Sequence, residues 1–150
     1  MDLVWRWYRF DELDTLTLFK YLRLRQHVFV VEQNCAYPDI DELDLVSTHL
    51  LAWQGDEIVA CLRLVPPGLK FAEPSLGRVI TAASTRGTGL GHVLIEQGLL
   101  GAAEQYPKQA NRIGAQAHLQ SFYARHGFVT ISDEYDEDGI AHVDMLRAAP

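Results

Sequence analysis

The sequence predicts an α/β (α+β) domain with a mixed, mostly antiparallel sheet flanked by helices, and three observations lead there. Short apolar or alternating runs recur along the chain with turn residues between them, as at 47–54, Gly55-Asp56 and 58–65. Two longer stretches, 13–29 and 90–106, carry apolar residues at roughly helical spacing. A strand-like run, 76–81, is joined to the second of these by Arg86-Gly87-Thr88-Gly89-Leu90-Gly91. Strand, glycine-rich turn and helix start in that order make an anion site. Glycine lets the backbone take left-handed conformations and come close to a ligand. The first helix amides have no intrahelical partner, and the helix dipole favours negative charge there.

The elements follow in order. Residues 4–10 alternate with aromatics and read as a first strand. Asp11 is expected to cap the next helix. Its apolar face is expected from Leu13, Leu16, Tyr21, Leu22, Val28 and Phe29. Residues 34–44 read as an irregular acidic segment, with most carboxylates solvated. Residues 47–54 and 58–65 form a hairpin through Gly55-Asp56, and Pro66-Pro67-Gly68 ends its second strand. After the strand at 77–81 and the glycine loop comes the helix from Leu90. Gly98 and Gly101 inside it cost about 1 kcal/mol each relative to Ala, so close packing against the sheet is expected. Residues 110–115 form a strand leading into a helix that holds Tyr123 and stops at Gly127. Residues 128–132 and 140–146 complete the sheet as a hairpin around 134–139. No repeat, low-complexity stretch or linker divides the chain.

Bulk properties narrow the function. The 150 residues suit one domain, 1–150, with a real core. The net charge is −7, from 20 acids against 13 bases. That argues against a general affinity for nucleic acid or an anionic membrane. It permits a cationic acceptor. No apolar run approaches the ~20 residues of a membrane helix, and the N-terminus lacks a positive region followed by an apolar core. A reducing, cytoplasmic setting is expected. Cys61, in an apolar run, reads as a small buried hydrophobe. Cys35 has no adjacent cation in the sequence to activate its thiol. The six His and two Cys show no zinc spacing, so no metal is expected.

The loop is not a P-loop, because His92 and Val93 follow Gly91 where Lys and Ser or Thr would be needed. Nor is it the dinucleotide fingerprint, because its glycines are spaced G-x-G-x-G. Nucleotide binding of either kind is disfavoured. Arg86-x-x-Gly89-x-Gly91 resembles the pyrophosphate loop of the GNAT superfamily of N-acetyltransferases. Residues 115–128, with Gln116, Tyr123 and Gly127-Phe128, resemble the strand–helix segment of the same superfamily. Val30-Val31-Glu32-Gln33-Asn34-Cys35-Ala36-Tyr37, Asp39-Ile40-Asp41, Asp44-Leu45, Thr48-His49-Leu50-Leu51, Gly77-Arg78-Val79 and Glu137-Asp138-Gly139-Ile140-Ala141-His142 look like the ElaA family within it.

The resemblance spans nearly the whole chain. It implies the GNAT fold, with a V-shaped splay between the strands near Val79 and Ile113, and acetyl-coenzyme A as cosubstrate. It implies that Arg86, Gly87, Thr88, Gly89, Leu90, Gly91 and His92 hold the pyrophosphate. Val79, Ile80 and Thr81 would meet the pantetheine arm, with the Val79 amide as oxyanion donor. Such a strand must free backbone groups by splaying or by a bulge. Tyr123 would protonate the leaving thiolate. The superfamily often has Asn seven residues before this Tyr; Gln116 stands there, one methylene longer. The acceptor would be a small-molecule or peptide amine. Glu32, His49 and His142 are the candidates for its proton acceptor, with ordered water as an alternative. A competing class is a non-catalytic acyl-coenzyme A sensor on the same fold, which would keep the loop but have no need of Tyr123.

Overall fold

A computed structural model describes residues 2–150. Strand β1 (Val4–Arg9) is followed by a 3-10 turn, Phe10–Glu12, and helix α1 (Thr15–Arg25), which continues as a π-helical segment, Gln26–Glu32. The cap of α1 is Asp14, whose carboxylate accepts from the Thr17 amide at 2.7 Å. Asp11, expected as the cap, lies in the 3-10 turn and pairs with Arg9. Of the expected apolar face, Leu16 is instead exposed, while Tyr21, Val28 and Phe29 are buried.

A short helix, α2 (Leu43–Val46), leads into β2 (Thr48–Gln54) and β3 (Glu57–Val65), with Gly55 left-handed at the turn. Next come β4 (Ser75–Thr81), a 3-10 turn at Ala83–Thr85, α3 (Leu90–Gln105), β5 (Asn111–Gln116) and a 3-10 turn at Ala117–Leu119. The chain ends with α4 (Gln120–Ala124), β6 (Phe128–Thr130), β7 (Tyr135–Glu137) and β8 (Ile140–Arg147). β7 falls where the sequence suggested only a turn. It pairs with β8 through Tyr135↔His142, beside the β6–β8 pairing.

The strands form two antiparallel sheets, β1-β2-β3-β4 and β5-β8-β6. β4 and β5 are the facing edges, and among the described residues no backbone ladder joins them. They meet at their starts: Arg112 donates its amide to Pro74 at 3.2 Å, and the Leu76 amide donates to Asn111 Oδ1 at 3.3 Å. Beyond that point they splay, which is the expected V.

Both faces of the first sheet are covered, so β3 is buried along nearly its whole length. Alternate residues serve opposite cores: Ala60 and Leu62 pack with Leu94 and Ile95 of α3, while Cys61 and Leu51 pack with Tyr21 and Phe29. Cys61 is fully buried, and its thiol is pushed well above the usual range by loss of water. The glycines of α3 have the expected reason. A Cβ on Gly98 would lie 2.7 Å from Leu62 Cδ2, and one on Gly101 would collide with the Trp7 ring.

Candidate functional site

The register of β3 against β4 changes beside the splay. Cys61 faces Ile80 and Arg63 faces Gly77, so Leu62 alone opposes both Arg78 and Val79. That is a β-bulge, and it supplies the break in pairing that the sequence reading required at Val79. Arg78 takes the strained, left-handed conformation, φ 49°, that the bulge demands. Its side chain is held by Asp39, 2.9 Å away, and stacks on the Tyr37 ring.

Three arginines and three aspartates fix this wall. Arg25 of α1, fully buried, reaches Asp44 at 2.8 Å and Asp39 at 3.1 Å. Arg63 of β3 reaches Asp41 at 2.6 Å and Asp44 at 3.1 Å. Arg78 of β4 completes the set through Asp39 and Asp41. The expectation of solvated carboxylates is therefore corrected for Asp39 and Asp44, which are 7% and 2% exposed. Burying charge is tolerated because each carboxylate meets at least two guanidinium contacts. Burial alone would raise the Asp44 pKa, but the hydrogen bonds and charge of Arg25 outweigh it and leave the group below the usual range.

A cavity of about 420 Å³ opens in the splay. Its walls include Val79, Gln116, Tyr123 and His142, together with Arg63, Arg78, Lys70, Glu137 and Asp138. Tyr123 is 7% exposed, and its hydroxyl has no hydrogen-bond partner among the described residues. Burial raises its pKa to about 12, so the phenol keeps its proton at neutral pH. Gln116 reaches toward Gln33 across the cavity, 3.4 Å apart. The ring of His142 stacks on Tyr135. Its Nδ1 lies 2.8 Å from the Ile140 carbonyl and must be the donor there, which leaves Nε2 as the basic nitrogen of the neutral ring. Glu137 stands 3.4 Å from that Nε2. Lys70 enters from the β3–β4 connection.

The glycine loop lies past the end of β4. Gly87 and Gly89 are left-handed, φ 80° and 81°, and a Cβ on either would meet nothing within 4 Å. Gly89 is the N-cap of α3, and no side chain caps the helix. Its first amides are therefore open to an anion. Thr88 folds back onto the Thr85 carbonyl. Arg86 bonds the Thr81 carbonyl at 3.3 Å and Glu32 at 2.8 Å. His92 stacks on Phe122, which packs edge-on against Tyr123, so loop and cavity share an aromatic wall.

The candidates from the sequence thus separate. Val79, Gln116, Tyr123 and His142 converge on the cavity, whereas the side chain of Ile80 packs into the α1 core on the opposite face. Glu32 sits beside Arg86, outside the cavity. His49 is removed from the acceptor candidates: it is fully buried, with Nε2 donating to the Asp44 carbonyl at 2.8 Å and Nδ1 accepting from the Tyr21 hydroxyl at 2.7 Å. Burial lowers its pKa and keeps it neutral. Cys35 lines the cavity with its thiol donated to the Asp138 carbonyl at 3.1 Å. Sequence reasoning missed Lys70 and the arginine network. The one signal for the network was Arg63, a lone charge inside an otherwise apolar strand.

Comparison with known proteins gives concordant results. A family model described as an acetyltransferase (GNAT) domain matches residues 25–148. Protein ElaA of Escherichia coli is 40% identical over 145 residues, which cover 95% of each chain. A UPF0039 protein of Synechocystis is 41% identical over 151 residues, covering 100% of this chain and 98% of that one. Among solved structures, an acyl-CoA N-acyltransferase from Pseudomonas aeruginosa superposes with a TM-score of 0.93 at 40% identity, over 98% of this chain and 100% of that one.

Proposed function

This chain belongs to the GNAT acetyltransferase family, in the group that contains protein ElaA, and we propose that it moves the acetyl group of acetyl-coenzyme A onto a primary amine by direct attack in a ternary complex. Transfer of an acyl group from an acyl-coenzyme A follows from the family; the acetyl donor and the amine acceptor are our reading. The observation that carries it is the Tyr123 hydroxyl, protonated and without a partner among the described residues, in one cavity with the bulged strand at Val79 and the basic Nε2 of His142.

The residues of the loop fit the coenzyme. Two open left-handed glycines, an uncapped helix start and Arg86 suit a pyrophosphate. Acetyl-coenzyme A brings an activated thioester and a thiolate leaving group. The Val79 amide is the donor for the carbonyl oxygen as it gains charge. Tyr123 gives its proton to the departing sulfur. His142 takes a proton from the attacking amine through Nε2, which Glu137 faces at 3.4 Å. The Cys35 thiol donates to the Asp138 carbonyl, so a covalent acetyl-cysteine route is not favoured.

The test is acetyl-coenzyme A turnover across a panel of amines and peptides, read as free thiol, with the Tyr123→Phe protein run in parallel. Acceptor-dependent thiol release that falls in the variant supports the assignment. Tight coenzyme binding with no acceptor-dependent release across a broad panel favours the sensor reading instead.

A further inference from the structure

Resting on the transferase reading above, we propose that the acceptor carries a carboxylate close to its amine, as an α-amino acid does, and that Lys70 is the group that recognises it. The charges around the cavity single out this lysine. Arg63 and Arg78 also line it, but both are committed to Asp41, and Arg78 to Asp39 as well. Lys70 has no carboxylate within ion-pair distance and no hydrogen-bond acceptor among the described residues. The residue as a whole is exposed, and its side chain lines the cavity. A Cβ placed on Gly114 of β5 would lie 3.9 Å from Nζ, and the Phe71 ring is 5.6 Å away. Loss of water there, reinforced by the charges of Arg63 and Arg78 and opposed by that of Glu137, holds its pKa below the usual lysine range. An anion delivered by a ligand would relieve that imbalance.

The opposite sign is present in the same cavity. Glu137 and Asp138 line it and bind no arginine or lysine among the described residues; Glu137 faces only His142. Asp41, the remaining acidic lining residue, is neutralised by Arg63 and Arg78. The free charges are therefore one ammonium and two carboxylates, within a space of about 420 Å³. Glu137, whose charge Lys70 feels, is also the carboxylate 3.4 Å from His142 Nε2. The cationic anchor and the proton acceptor thus lie within the reach of one small molecule. A zwitterion satisfies both ends: its ammonium approaches Glu137 and His142, loses a proton there, and attacks, while its carboxylate meets Lys70. A simple polyamine would leave Lys70 facing another positive charge.

The common L-amino acids and their carboxamides make matched probes, differing only in the anion. Binding to the coenzyme A-loaded protein is measured by ligand-observed NMR, and turnover by thiol release. The acid of at least one pair should bind roughly tenfold or more tightly than its amide, as expected for a charge-assisted contact. Lys70→Met should erase that ratio, and Lys70→Glu should invert it. Lys70→Arg should restore much of it. Lys70 lies in an exposed connection, so these variants should fold, and a merely structural lysine would leave the acid-to-amide ratio unchanged. Equal binding of acids and amides, a ratio unmoved by Lys70→Met, or no binding of any probe overturns the inference. The binding readout is independent of chemistry. An acid preference that depends on Lys70 without thiol release supports the anion site while counting against the transferase reading.

Discussion

Along the glycine-loop side of the cleft, the groups that can meet a ligand belong mainly to the backbone. Gly87 and Gly89 turn left-handed, α3 starts uncapped, and a bulge breaks the ladder at Val79. Along the Lys70 side the groups are side chains, and charged ones. They are drawn from α1, the 39–44 segment, β3, β4 and the β7–β8 hairpin, and pinned by ion pairs buried between them. A backbone site asks little of residue identity beyond glycine, so it tolerates change nearby and binds a constant ligand part. A side-chain site can be retuned by single substitutions, but its scaffold fails if one buried charge loses its partner. Tyr123 sits on the seam between them.

The largest effect should come at that seam. Tyr123→Phe should lower kcat by about 10²–10⁴-fold, the usual contribution of a positioned acid, while coenzyme A affinity and stability change little because the ring still packs against Phe122 and Phe128. Single-turnover thiol release on a true acceptor is the measurement. A variant within about threefold of the parent, with chemistry rate-limiting, would remove Tyr123 from the mechanism. Next in size is the scaffold of the side-chain half. Asp44→Ala leaves Arg25 with Asp39 as its one carboxylate and weakens the hold on Arg63, and removing one partner from a buried ion pair costs up to about 3–5 kcal/mol. Urea unfolding should show that loss. A cost below about 1 kcal/mol would mean that the network is no scaffold.

The same contrast explains how far the sequence could be read. A backbone site leaves its signature in closely spaced glycines, so 86–91 stood out as a candidate loop, and the resemblance of 115–128 to the superfamily's strand–helix segment pointed to Tyr123. The hairpin at Gly55, the helix from Leu90 and the left-handed turn at Gly89 follow from local chemistry in the same way. The side-chain half does not, because its members are far apart in sequence and meet only through tertiary packing. Asp39 and Asp44 looked like loop carboxylates, since nothing near them in the chain says that Arg25 and Arg63 will converge there. Lys70 carried no motif at all. His49 and His142 were indistinguishable as isolated histidines, and only the register of β2 and β8 sends one into the core and the other to the cavity. Asp11 lost the cap to Asp14 because the chain makes a 3-10 turn before the helix begins, a choice set by the Arg9–Glu12 bonds.

A smaller effect is expected on the backbone side. Gly89→Val forces a β-branched residue into φ 81°, which costs about 1–2 kcal/mol in strain, and it puts bulk into space that is open in this structure. Coenzyme A affinity measured by calorimetry should fall about tenfold or more, with the protein still folded. Unchanged affinity in a folded variant would sink the cradle assignment and, with it, the division drawn between the two sides.

The gentlest perturbation is acid, and it should act on the side-chain half first. His49 is held neutral by burial, below its ordinary 6.5. As pH falls through 6.5 the unfolded chain takes up a proton there and the folded chain does not, so stability should begin to decline. Asp41 and Asp44 act in the same direction at lower pH. Burial raises their pKa values, but the hydrogen bonds and charges of Arg63 and Arg25 hold both below the ordinary 3.8. Their contribution is complete above 3.8 and is lost as pH drops through the lower folded values, because the folded protein must then surrender the ion pairs. Two stages of acid destabilisation should therefore appear in urea midpoints measured from pH 7 to pH 3. The second stage should be shallower in Asp44→Ala, which has already lost one of these carboxylates, whereas Gly89→Val should follow the parent curve. Identical acid limbs in all three proteins would show that the arginine network does not govern the acid response.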